Sequence, residues 1–102
     1  MKIPSTFKLA GLTISVVFDP LLHENRKLLG EAVYSKQQIV LDSGICSQEQ
    51  IEQNFFHELL HWIYFIMSED ELRQNERIVD LSAHMLHQFM VTQTFEALAY
   101  QP

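Results

Sequence analysis

Leu12, Ile14, Val16 and Phe18 occupy every second position of a stretch in which Thr13, Ser15 and Val17 fall between them. A period of two predicts a strand with one buried face. Ala10-Gly11 just ahead of it is a turn signal, so residues 7–18 are expected to form a strand pair or one bent strand. Asp19-Pro20 ends the run, and residues 21–29 fit either a short helical turn or a loop with two apolar anchors. From 30 to 42 the pattern is that of a hairpin, with Ala32-Val33-Tyr34 and Ile39-Val40-Leu41 as strands and Ser35-Lys36-Gln37 near the turn. Ser43-Gly44 breaks it.

Beyond that break the apolar period lengthens to that of a helix. Ser47 with Gln50 forms a capping box, and Cys46 before it can pack against Ile51 as a hydrophobic staple, so a helix is expected from Ser47. Ser68 with Glu71 repeats the signature and predicts a return helix from near Glu69 to about Met90, with Thr92 and Thr94 weakening the helical signal before the apolar residues 95–100. The stretch 55–67 is strongly apolar but too short to span a bilayer and contains two histidines and a glutamate, which makes it a buried core helix. At 102 residues and 47% apolar, the chain is expected to be a single domain over residues 1–102 with its core centred on that helix. The fold class that follows is α+β: a small antiparallel or mixed sheet packed on the buried helix and on an antiparallel return helix.

That helix carries His57-Glu58-Leu59-Leu60-His61. Residues four apart stand on one helix face, about 5–6 Å apart at Cβ, so His57 and His61 can direct a ring nitrogen at one ion. Zinc accepts imidazole at about 2.0–2.1 Å. Glu58 sits about 100° further round the helix, placed for the proton of a water at the metal rather than for the metal itself. A catalytic zinc takes three protein ligands, so one more is needed. His61 lies seven residues before Ser68 and Glu76 eight after it, so two antiparallel helices bring them to nearly the same height. The same count pairs His57 with Asp80, whose carboxylate can accept the second ring N–H of a ligating histidine. His-Glu-x-x-His recurs by chance in helices that bind nothing; the level acidic pair separates the two cases.

Other residues carry weaker signals. His84 and His87 fall beyond the metal level and are read as surface or interface residues. Cys46 is read as a staple residue rather than as a thiolate closing the site. An oxyanion donor is not singled out: Tyr34, Tyr64, His23 and His84 all remain open. The hairpin strand at Ile39 to Asp42 is expected to be a sheet edge on which an extended peptide adds as a strand, with Ile39, Val40 and Leu41 as substrate-binding residues; the alternative is that it pairs with the N-terminal strand.

The formal charge of −6 argues against nucleic acid or an anionic membrane surface as partner, since both call for a basic face. A single cysteine allows no intrachain disulfide, and the first five residues show no long apolar stretch of a signal peptide, so a cytoplasmic location is expected.

With these residues in place, the chain resembles the zincin metallopeptidases, and among them the gluzincins, whose third ligand is a glutamate. His57-Glu58-x-x-His61 followed by Asn75-Glu76-x-x-x-Asp80 is similar to the thermolysin-type pair of motifs. The short length, the hairpin ahead of the metal helix and Ile78-Val79-Asp80-Leu81-Ser82-Ala83 resemble the compact ImmA/IrrE-type and phage-encoded metallopeptidases, over roughly residues 30–90. Only fourteen residues separate His61 from Glu76, fewer than in thermolysin, which implies a tight turn. The resemblance implies a minimal zincin fold and one zinc per chain on His57, His61 and Glu76, with Glu58 as general base and Asp80 supporting His57. It implies hydrolysis of a peptide bond in a protein or peptide substrate; substrate choice does not carry over, and it is the small domain without a long cleft that suggests a narrow one, such as a regulator. A noncatalytic zinc-containing protein that binds a partner is the rival expectation.

Overall fold

In the computed structural model, described over residues 1–94, the chain is an α+β structure with a four-stranded mixed sheet and four helices. Strands β1 (Thr6–Leu9) and β2 (Leu12–Asp19) form an antiparallel hairpin. Both turn residues, Ala10 and Gly11, have positive φ, the two-residue turn whose twist matches that of its strands. The ambiguous segment after Pro20 contains a one-turn helix, α1 (Leu22–Arg26), ended by Lys27 in the left-handed region. Strands β3 (Gly30–Val33) and β4 (Gln38–Asp42) make the expected hairpin around a single 3-10 turn at Tyr34–Lys36.

The sheet order is β1-β2-β4-β3, with β2 and β4 parallel. This corrects the expectation of a free edge at Ile39, Val40 and Leu41: Ile39 pairs with Val16 on one side and with Ala32 on the other. A strand paired on both sides has no backbone groups left for a guest peptide, so Ile39, Val40 and Leu41 do not form a free edge for one. Ile39 and Leu41 are fully buried. The sheet's two edges are β1 and β3, and β3 lies along α2.

One face of the sheet packs on α2 (Gln48–Ile66). Ile14, Val16, Ile39 and Leu41 meet Ile51, Phe55, Leu60 and Trp62 in one cluster, and full burial of each such side chain is worth about 1.5–3 kcal/mol. The Trp62 indole donates to the Gln38 carbonyl at 2.9 Å, which ties the helix to the start of β4. At the other end the buried Asp42 carboxylate accepts from the backbone N–H groups of Ile45, His23 and Cys46. The capping box forms as expected, Gln50 N–H donating to Ser47 Oγ and Ser47 N–H to Gln50 Oε1, and Cys46 packs against the core cluster that contains Ile51.

The return differs from expectation. Ser68 has φ 58° and turns the chain in the left-handed region instead of capping a helix. A short α3 (Asp70–Gln74) follows, the helix breaks at Asn75, and α4 (Glu76–Thr92) runs back along α2. Asn75 supplies the cap that was expected of Ser68: its side chain accepts from Ile78 N–H at 3.1 Å. The apolar residues 95–100 lie outside the described residues. No helix among the described residues is long and apolar enough to cross a membrane.

Candidate metal centre

His57 and His61 stand one turn apart on α2, and Glu76 is the first residue of α4. Their donor atoms form a small triangle: His57 Nε2 to His61 Nε2 3.2 Å, His57 Nε2 to Glu76 Oε2 2.9 Å, and His61 Nε2 to Glu76 Oε1 3.2 Å. Atoms about 2.0–2.1 Å from a tetrahedral ion stand about 3.3 Å from one another, so one face of such a polyhedron is already assembled. His57, His61 and Glu76 form a group that could hold a metal ion.

The rings are aimed from behind. Asp80, one turn along α4 from Glu76, places Oδ1 3.5 Å from His57 Nδ1. The His61 ring also hydrogen-bonds to the Arg73 backbone carbonyl. Each contact leaves Nε2 turned toward the centre. Burial lowers the pKa of His61 despite the neighbouring Glu76 carboxylate, which favours the neutral, ligating form of the ring.

Glu58 is next in the chain but points elsewhere. It lies buried against β3, where the Ala32 backbone N–H hydrogen-bonds it and a Cβ added at Gly30 would stand 3.0 Å from its Oε2. Burial, then Glu76 and Glu31, push its pKa up to about 8, with the Ala32 N–H opposing. Such a carboxyl is poised to carry a proton near neutrality. A cation on the adjacent triangle shifts it back toward the carboxylate, the form that accepts a proton.

These groups line a cavity of about 610 Å³ together with Leu29, Gly30, Tyr34 and Arg73. The ligand set faces it unequally: the His57 and His61 side chains are mostly covered, whereas that of Glu76 is 67% exposed. Of the four residues open as oxyanion donors, Tyr34 lines this cavity and Tyr64, His23 and His84 do not. His84 is on the surface, as its position suggests, 3.8 Å from Asp80.

His87 overturns its reading as a surface residue: it is buried, and its Nε2 lies 2.8 Å from Glu52 Oε1. Glu52 faces the interior between α2 and α4, and a buried carboxylate requires such a partner. Two further residues of the site were not signalled by motif. Gly30 reads only as the start of a hairpin, and Arg73 belongs to a one-turn helix with no pattern of its own; position three residues before Glu76 is its sole cue. No protein-family model matches this chain, and neither a curated protein nor a solved structure matches it.

Proposed function

We propose that the chain is a zinc-dependent peptide hydrolase of gluzincin type with a minimal zincin fold, and that His57, His61 and Glu76 are its metal ligands. The observation that carries this reading is the triangle of donor atoms 2.9–3.2 Å apart beside a buried carboxyl on the neighbouring residue. Two imidazoles and a carboxylate suit zinc, and three protein ligands facing a cavity leave a position open, as catalytic rather than structural sites do.

Held by His57, His61 and Glu76, zinc would supply a water of pKa about 7 and a Lewis acid for the scissile carbonyl. Glu58 accepts a proton from the attacking water as the water oxygen bonds to the carbonyl carbon, and gives it to the leaving nitrogen as the C–N bond breaks. The products are a carboxylate and an amine. Asp80 and the Arg73 carbonyl keep the two histidine rings in register throughout.

The free edge of β3 runs past Glu58, and its Gly30, Glu31 and Ala32 line the cavity, so an extended protein segment adds to the sheet there and crosses the metal site. Its substrate is accordingly a protein or peptide. The rival, a noncatalytic zinc protein that binds a partner, is favoured by no comparable observation, because a structural site is closed by four ligands. The test is elemental analysis of purified protein together with peptide cleavage. One zinc per chain and cleavage abolished by phenanthroline and restored by zinc support the enzyme; tightly held zinc with no cleavage of any peptide or neighbouring gene product supports the rival.

A further inference from the structure

Arg73 is the one permanently charged cation among the described residues that line the cavity, beside four carboxyl side chains, Glu31, Glu58, Glu76 and Asp80. Its guanidinium has five N–H donors. Among the described residues a single ion pair engages it, Nη2 to Asp70 Oδ1 at 3.3 Å, and Asp70 is on the open surface where such a pair is weak; Tyr34 also shares a side-chain hydrogen bond with the guanidinium. Nε is buried and has no hydrogen-bond partner among the described residues. A buried donor without an acceptor is costly, and an oxygen of a ligand entering the cavity would supply the acceptor that Nε lacks.

The group is also held in place. Its central carbon lies 5.7 Å from the centre of the Tyr34 ring and 6.0 Å from that of Phe65. Tyr34 in turn stacks on Phe65 with centroids 4.1 Å apart and planes 11° apart, and meets Trp62 edge-on at 5.1 Å. Those aromatic contacts anchor the Tyr34 ring to α2, next to the Arg73 guanidinium. The Arg73 backbone places the pair beside the candidate ligands, because its carbonyl is the acceptor for His61.

We propose that Arg73, with the Tyr34 hydroxyl beside it, is the anion-binding group of this cavity and holds a negatively charged oxygen of the substrate. This rests on the hydrolase reading. Two sources share the chemistry: the carbonyl oxygen as it becomes anionic during attack, and a carboxylate carried by the peptide, terminal or side chain. Arginine matches either one through paired N–H donors, and a preset donor at a developing oxyanion is worth about 10²–10³-fold in rate.

The experiment compares zinc-loaded wild type with Arg73→Ala, Arg73→Gln and Tyr34→Phe by calorimetry, using three probes. One is a dipeptide amide with a phosphinate in place of the scissile amide, which mimics the tetrahedral oxyanion; the others are acetyl-dileucine with a free carboxylate and its neutral amide. Both Arg73 variants should bind an anionic probe about 10–100-fold more weakly than wild type, with zinc content and the neutral amide unaffected. Tyr34→Phe, which keeps the stacked ring, should lose less. Loss confined to the phosphinate assigns the oxyanion, and loss confined to the carboxylate assigns a substrate carboxylate. Equal affinity of wild type and both Arg73 variants for both anionic probes overturns the proposal. Zinc content and cleavage are read on the same wild-type sample, so a failure of the hydrolase reading appears there, whereas a failure of the Arg73 assignment appears only as equality between variant and wild type.

Discussion

Gly30 and Glu58 touch: a β-carbon built on Gly30 would lie 3.0 Å from Glu58 Oε2 and 3.1 Å from its Cγ. The sheet edge and the metal helix therefore approach as closely as a missing side chain allows, and the position of the proposed base is set by glycine. Gly30→Ala should fold, since β3 is ordinary extended strand, but should displace the carboxyl by a few tenths of an ångström. Zinc content should be unchanged and peptide hydrolysis roughly 10-fold slower, given that misplacements near 1 Å cost about 10²-fold. Undiminished kcat in this variant would mean that Glu58 is not held by β3.

Glu58→Gln separates holding the ion from moving the proton. The variant should keep one zinc per chain and its thermal midpoint, and lose about 10²–10⁴-fold in hydrolysis. A variant that cleaves as fast as wild type removes Glu58 from the mechanism.

The ligand triangle and its support should respond differently to substitution. His61→Ala and Glu76→Ala each remove one of three donors and should abolish tight zinc binding in elemental analysis. Asp80→Ala removes only the contact behind His57, and should weaken zinc affinity or activity by about 10–100-fold while the fold persists. Full affinity in His61→Ala would dispose of the site.

Asn75 starts α4, and its side chain is the acceptor for Ile78 N–H. Asn75→Ala should cost about 1 kcal/mol in urea unfolding, as loss of a helix cap does. Because Glu76 is the next residue, the same substitution should also weaken zinc binding more than a cap elsewhere would. Equal zinc affinity would show that Glu76 is positioned by packing of α4 alone.

Two buried carboxylates tie stability to pH. Burial alone raises the pKa of Glu52, but the hydrogen bond from His87, aided by Gln48 and the amino terminus, takes it below the ordinary value; at Asp42 the Ile45 N–H, opposed by burial and joined by His23 and Cys46, does the same. Groups with depressed folded-state pKa stabilise the fold fully above their unfolded values, about 4.3 and 3.9, and that contribution is lost as pH falls through the depressed ones. The urea midpoint should therefore drop steadily below about pH 4. Glu52→Gln should flatten part of this dependence, and a slope identical to wild type would show the pair contributes nothing.

What the chain declares by itself is what depends on neighbours along it. The strand carrying Leu12, Ile14, Val16 and Phe18, the turn at Ala10-Gly11 and the capping box of Ser47 and Gln50 are local, and each is present in the fold, although only Ile14 and Val16 of the alternating four are buried and Leu12 and Phe18 at the two ends are exposed. The facing of Glu76 with His61, and of Asp80 with His57, is nearly local too, because rise per residue is constant in helices and only one turn intervenes. It holds even though the return is broken at Asn75, where a competing cap outweighs that of Ser68. Tertiary structure decided what no period encodes. The parallel pairing of β2 with β4 moves Ile39 and Leu41 into the centre of the sheet and leaves β3 as one of its two edges. The burial of His87 depends on Glu52, thirty-five residues earlier, and that of Glu58 on Gly30 and Ala32. Buried polar groups must find partners wherever the fold puts them, and partners across a packed interface leave no trace in the spacing of either segment.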